Sequence, residues 1–336
     1  MSDTKTWTSK LRGTAKAISP PWLVEAMHSA VMRRYDLAIV VKRESRVKHW
    51  FSKHVLRLYY PPSLVSRQNA VKRWTATRVR RELPTLYHFD IHITDHCNLN
   101  CRGCGHFSNL CPPTFLDLDA FKSDMAAMAA KLRIEQIYLL GGEPLLHPQV
   151  SEFIHAARDY FPETRIYVVT NGALVMRQDE EFWRALADTH TILMCDAYPI
   201  GLPVDDINRK ADQTGVITEW TEARELFFKV PLDVTGSQDA ADSYRRCSGI
   251  NNCPMYKDGR LYPCAYTSYI EVFKERFGIE SGLEVSSADS ISVAENGSKA
   301  IMEFMTKPVP FCGNCDFDHF EMYQWGRTER KIEEWT

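Results

Sequence analysis

Nowhere in these 336 residues do about 18 apolar side chains run together, so no membrane-spanning helix is expected. The N-terminus carries Lys5, Lys10 and Arg12 with no apolar stretch behind them, and it does not read as an export signal. A reducing, cytoplasmic setting follows. There, ten cysteines read as metal ligands or catalytic thiols rather than disulfides. No repeat of fixed period and no low-complexity tract is present, which leaves an ordinary globular chain whose 44% hydrophobic content can fill a large core. Net charge is scarce too, at -2, but that figure averages two unlike parts. Residues 1–85 hold 18 Lys/Arg against 5 Asp/Glu, and the remainder holds 23 against 38. Such an arm contacts something acidic: nucleic acid, a phosphorylated substrate, anionic lipid or the acidic body of the same protein. It contains no recognisable nucleic-acid module, so nucleic acid is not the expected partner. Its apolar positions at Trp22, Leu23, Ala26, Met27, Ala30 and Val31 follow the Pro20-Pro21 breaker on one helical face. Residues 1–85 therefore read as a basic helical extension.

From residue 86 strands alternate with helices, the texture of an α/β domain with a parallel sheet. The first strand, Leu86 to Thr94, places Phe89, Ile91 and Ile93 on one face and His88, Asp90, His92 and Thr94 on the other. That polar face suits either the inside of an open barrel or a solvated surface. A helix from Asp117 or Asp119 to Arg133 leads to strand Ile137–Leu140. Strands Arg165–Thr170, Thr191–Asp196, Val216–Trp220 and Leu226–Val234 follow, separated by helices 149–160, 179–188 and 204–213 where crossovers are needed. Groups that do chemistry collect at the C-terminal ends of such strands. Past residue 235 regular texture weakens, and Cys247, Cys253, Cys264, Cys312 and Cys315 fall within 69 residues.

The chemistry concentrates first at Thr94-Asp-His-Cys-Asn-Leu-Asn-Cys-Arg-Gly-Cys104, where three and then two residues separate Cys97, Cys101 and Cys104. Three thiols at this spacing can converge on one inorganic centre. A structural zinc takes four protein ligands and a disulfide takes two, so three leave a metal position open. This C-x3-C-x2-C run after a strand resembles the cluster motif of the radical S-adenosylmethionine (radical SAM) family. In that family three cysteines hold a four-iron four-sulfur cluster whose fourth iron binds S-adenosylmethionine, and reductive cleavage yields a 5'-deoxyadenosyl radical that abstracts hydrogen from a substrate. The resemblance implies a partial (β/α)6 TIM-like barrel over residues 86–235. Gly141-Gly142-Glu143-Pro144, 37 residues after Cys104, resembles the strand end that binds the methionine amino group. Glycines let backbone approach a ligand, and a carboxylate complements an ammonium. Thr170, Asn171 and Asp196 match positions that contact the ribose or carboxylate of the cofactor, with turn and cap roles as the alternative. One departure is Gly103, where the family often has an aromatic residue; His106 and Phe107 are the substitutes nearest in sequence. Cys111 and Cys195 match no ligand position and read as small hydrophobes.

Cys247, eleven residues, Gly259, four residues, Cys264, then Cys312-x2-Cys315 resembles the auxiliary-cluster module of the SPASM/twitch subgroup. No further ligand pairs follow Cys315, so the resemblance implies one auxiliary four-iron four-sulfur cluster in a twitch-like domain over residues 236–336. The alternative is a four-cysteine zinc knuckle. Cys253 is open between alternative ligand, hydrogen-atom donor and structural thiol. From these features the expected activity is a radical SAM dehydrogenase or epimerase on a small hydroxyl-rich substrate: a sugar, a cyclitol, or a phosphorylated or nucleotide-linked molecule. Asp90, His92 and Cys253 are the catalytic candidates, and a flavodoxin or ferredoxin is the expected electron donor. A peptide-modifying enzyme and an RNA-modifying enzyme or structural zinc or iron–sulfur protein are the rival readings.

Overall fold

The computed structural model describes residues 83–247 and 254–336, all within the unit Lys72–Thr336. The expected basic helical extension, up to residue 82, and Cys253 lie outside the described residues.

Five parallel strands run β5-β4-β3-β2-β1: β1 Thr85–Thr94, β2 Arg133–Gly141, β3 Arg165–Thr170, β4 Ile192–Cys195 and β5 Thr218–Trp220. Helices α1 Leu118–Ala129, α2 Val150–Tyr160, α3 Glu180–Asp188 and α4 Val204–Thr214 make the crossovers. The fold class is α/β with the parallel sheet of a partial barrel, as expected. Asp117 caps α1 by accepting from the amides of Asp119 and Ala120 at 3.0 and 2.9 Å. That helix stops at Ala129 rather than Arg133, because Arg133 to Gln136 are drawn into β2 by pairing with Thr85 to His88. Phe121, Met125 and Met128 of α1 and Phe153 and Ile154 of α2 fill the core against Phe89, Ile91 and Ile93. Side chains of this size each contribute about 1.5–3 kcal/mol on burial.

Two features depart from the expected sixfold barrel. The strand expected at Leu226–Val234 forms only over β6, Leu226–Lys229, and pairs antiparallel with β10, Glu321–Gln324, as a separate two-stranded ribbon. A parallel barrel strand must be covered on both faces, whereas Leu226 and Phe228 stand 53% and 47% exposed. On the other side, β7 Met255–Lys257 joins β1 in parallel, and β8 Arg260–Tyr262 and β9 Ile291–Ser292 extend the sheet antiparallel. Helix α5, Ala240–Arg246, follows β6, and a second core lies under α6, Ala265–Phe277, where Phe107, Tyr266, Phe273, Phe311 and Trp335 pack together. Phe107 thus belongs to a core rather than to a ligand site.

The polar face of β1 is also decided. Asp90, His92 and Thr94 are all buried, so the face points into the barrel rather than to solvent. Burial pushes the Asp90 carboxyl up to about 8. The unfolded chain releases that proton near pH 4. The folded state therefore binds the extra proton between those values, and stability falls as pH rises from about 4 to 8. The Asp90→Asn variant should accordingly melt higher than the parent at pH 8.5 and by much less at pH 5, as scanning calorimetry at the two pH values would measure.

Candidate active site

An open cavity of about 630 Å³ lies at the C-terminal ends of β2, β3 and β4. Cys97, Cys101 and Cys104 all line it, together with Gly141, Gly142, Thr170, Asn171 and Asp196. The spacing alone could bring the thiols near one another. It is the parallel register of β1 to β4 that brings the four strand ends to the same side of the sheet.

The thiols are held by a ring of donors. Cys97 Sγ accepts the Leu99 amide at 3.4 Å and faces Asn171 Nδ2 at 3.7 Å. Cys104 accepts from the amides of His106, Phe107 and Ser108. Trp325 Nε1 donates to Cys101 Sγ at 3.2 Å. Burial pushes Cys97 and Cys101 up to about 12 and raises Cys104 as well. Such thiols are inert nucleophiles, and they become thiolates when a metal centre supplies the opposing charge. Asn109 Oδ1 is buried on the same wall with no hydrogen-bond partner among the described residues. An all-sulfur donor set with amide and indole donors around it fits an iron–sulfur cluster.

Gly141 and Gly142 line the cavity, but their lack of a side chain serves packing. A Cβ on Gly141 would lie 2.0 Å from the Thr94 carbonyl oxygen, and one on Gly142 would lie 2.2 Å from that of His96. The end of β2 is thereby pressed against the backbone that enters the cysteine loop, with the Gly142 amide donating to Thr94 O at 2.8 Å. The Gly142→Ala variant must displace backbone. Its cost should exceed the ~1–3 kcal/mol of ordinary overpacking, measured by urea denaturation, and iron bound on anaerobic reconstitution should fall with it.

Glu143 is fully buried beneath the cavity rather than on its wall. Its Oε1 accepts from Thr170 Oγ1 at 2.7 Å and from the Leu145 amide at 3.1 Å, and its Oε2 from the Asn171 amide at 2.9 Å. Burial pushes its pKa up to about 7 against those bonds. In this arrangement the carboxylate ties the ends of β2 and β3 together, and Thr170 and Asn171 reach the cavity because of it. Asp196 lines the cavity and is paired with Arg224 through Nη2 at 2.9 Å. Gly103 also has a reason: with φ +58°, a Cβ there would meet the Tyr323 hydroxyl at 2.3 Å.

His92 does not line the cavity but leads to it. Asp95 Oδ1 lies 2.9 Å from the Tyr269 hydroxyl and 3.3 Å from His92 Nδ1, and His92 Nε2 lies 2.7 Å from His106 Nδ1. His106 stands on the cavity wall. Burial raises the cost of ionising Asp95, but the bonds from His92 and Tyr269 outweigh it and leave its pKa low. Burial lowers His92, and burial with His92 beside it pushes His106 down to about 3. Tyr269, which stacks on His92 with centroids 4.3 Å apart, and Lys257, 4.2 Å from the Tyr269 ring centroid, complete this cluster. Of this cluster the sequence singled out His92 as a catalytic candidate and His106 only as a substitute for the aromatic residue missing at Gly103. Asp95 and His106 flank the cysteines and were within reach, whereas Tyr269 and Lys257 arrive from distant elements with no local signal.

The four remaining thiols expected as ligands, Cys247, Cys264, Cys312 and Cys315, line one pocket of about 310 Å³ together with Tyr244, Thr267, Phe311 and Phe317. Burial pushes Cys312 up to about 12 and raises Cys315, with the other three thiols adding to the rise. Cys195 is fully buried and Cys111 half-buried; none of the nine described cysteines forms a disulfide. No helix among the described residues is long and apolar enough to cross a membrane.

Residues 91–224 match the family described as the Radical SAM superfamily. The GTP 3',8-cyclase of Chlorobaculum tepidum is 33% identical over 95 residues, which is 28% of each chain. That of Aquifex aeolicus is 28% identical over 146 residues, 43% of this chain and 45% of that one. The matched stretch thus spans less than half the length of these relatives. Among solved structures, BtrN in complex with AdoMet and 2-DOIA aligns over 70% of this chain and 94% of its own, with 14% identity and a TM-score of 0.41. The relatives overturn the expected dehydrogenase or epimerase, since the activity in their name is a cyclisation of a nucleotide. The match over residues 91–224 covers the cysteine loop and the ends of β2, β3 and β4 that line the cavity, and identifies this stretch as a radical SAM domain.

Proposed function

We propose that this chain is a radical SAM enzyme that acts on a nucleotide, with Cys97, Cys101 and Cys104 holding the catalytic four-iron four-sulfur cluster. The observation that carries the reading is the single cavity onto which those three thiols and the ends of β2, β3 and β4 all open. When bound there, the cluster and S-adenosylmethionine supply a 5'-deoxyadenosyl radical by reductive cleavage, with an electron from a flavodoxin- or ferredoxin-type donor. The protein's own part is to bind and orient. Asp196, held by Arg224, offers a carboxylate to ligand hydroxyls on the β4 side, and Asn171 stands beside Cys97 at the end of β3. Neutral His106, set by the Asp95–His92 pair, presents a ring edge on the β1 side. Asp90 and His92, the expected catalytic residues on β1, do not line the cavity, and His92 reaches it only through His106. A nucleotide is favoured because the relatives matched over the radical SAM domain are named for chemistry on GTP.

In the same reading residues 86–235 carry the catalytic site. Residues 236–336 hold an auxiliary four-iron four-sulfur cluster on Cys247, Cys264, Cys312 and Cys315. Four thiols and no open ligand position leave that centre to serve the substrate's electrons or the fold rather than the cofactor.

The test is anaerobic reconstitution with iron and sulfide, then incubation with dithionite, S-adenosylmethionine and a panel of nucleoside triphosphates and diphosphates. Formation of 5'-deoxyadenosine, accelerated by at least one nucleotide, is expected. Zinc in place of iron with no cleavage would sink the enzyme, and cleavage indifferent to every nucleotide would sink the substrate class.

A further inference from the structure

We infer that Trp325 is a positioning residue for the radical cluster, its indole N–H on Cys101 Sγ raising the reduction potential of that centre. This rests on the reading of Cys97, Cys101 and Cys104 as cluster ligands. Trp325 Nε1 lies 3.2 Å from Cys101 Sγ, within range for a hydrogen bond to sulfur. The contact is built, because the tail beyond β10 is laced to the cysteine loop on both sides of it. The Arg102 amide donates to Gly326 O at 2.8 Å and the Thr328 amide donates to Asn100 O at 2.9 Å. Between them, Cys101 and Arg327 form an antiparallel bridge. Tyr323, at the far side of Trp325, donates its hydroxyl to Arg102 O at 3.0 Å. Trp335, fully buried in the second core, donates its indole N–H to Cys104 O at 2.9 Å. The indole of Trp325 is therefore delivered to the sulfur by backbone pairing more than 220 residues away in sequence.

The physical consequence follows from where charge goes. Reduction places added negative charge partly on the ligating sulfurs, and a hydrogen bond to sulfur strengthens as that charge grows. An N–H on Cys101 thus favours the reduced centre and raises its potential, easing electron delivery from a weak donor. Removing the N–H while keeping an aromatic ring should lower the potential.

The experiment compares wild type with Trp325→Phe and Trp325→Leu, each full-length and anaerobically reconstituted. The EPR signal that shifts on adding S-adenosylmethionine is followed through a redox titration. Iron and sulfide contents like wild type are expected, with a midpoint lowered by about tenfold in the reduced-to-oxidised ratio, ~59 mV for one electron. Trp335→Phe, which removes an N–H from a carbonyl oxygen rather than from sulfur, should leave the midpoint unchanged. A midpoint equal to wild type in Trp325→Phe and Trp325→Leu overturns the inference, as does a cluster too unstable to titrate in both. A wild-type protein with no signal responsive to S-adenosylmethionine overturns the underlying cluster assignment instead.

Discussion

Cys101→Ala is expected to abolish 5'-deoxyadenosine formation under reductant while leaving the fold standing. Cys101 is only 8% exposed, its sulfur opens on the cavity, and its partners are the Trp325 indole and the Tyr198 hydroxyl rather than a backbone strut. The loop is held instead by Asn109 Nδ2 on the Cys101 carbonyl at 2.9 Å and by the backbone pairing to residues 326–328, none of which needs the thiol. Truncating one small thiol should then cost about 1 kcal/mol of stability. Iron bound after reconstitution should fall by about half, since a four-iron centre is lost from two. Cys111 is not expected to step in, because it does not line the cavity. The check is chromatographic quantification of 5'-deoxyadenosine beside iron analysis. A wild-type yield would refute the ligand assignment.

The second large effect is expected at Cys264, and it separates the two centres. Cys264 is the N-cap residue of α6, where its sulfur faces Cys247, Cys312 and Cys315 across the smaller pocket. Cys264→Ala should keep cleavage of S-adenosylmethionine by dithionite, because none of the strand ends around the larger cavity depends on this thiol. Acceleration by nucleotide should be lost, and iron should again fall by about half. Full nucleotide-dependent turnover in this variant would remove the auxiliary cluster from the mechanism. Zinc in the wild-type protein at this pocket, with iron only at the other, would make the second centre a structural knuckle.

How far the sequence carried the reading depends on the distance over which each feature is set. The cysteine triad spans eight residues, and Gly-Gly-Glu-Pro ends a strand whose apolar run is plain, so both were legible from local spacing. Asp117 capping α1 and the alternation of β1 were legible for the same reason. The role of Glu143 was not. A carboxylate beside two glycines suggests an ammonium ligand, but its oxygens accept from Thr170, Leu145 and Asn171, of which the first ends the next strand and the last follows it. The sixth strand misled because Leu226-Phe-Phe-Lys229 is apolar enough for a barrel, and only the partner Glu321–Gln324 reveals an exposed ribbon. The expected oxidation or epimerisation failed for another reason: it was inferred from the type of auxiliary centre, and two enzymes can share that centre while reacting differently with the substrate radical.

What the sequence determined by itself is a set of seven cysteines in two groups and the strand ends that accompany the first group. Short-range spacing governs which thiols can meet, and strand period governs which faces they meet on. What only the tertiary structure decided is the surroundings that give those thiols their properties. Trp325 on Cys101, Tyr323 against Gly103, Tyr269 on His92, and Glu143 beneath the cavity are contacts between elements tens to hundreds of residues apart. Such contacts are fixed by packing and by the need to satisfy buried polar groups, which no local window of sequence contains.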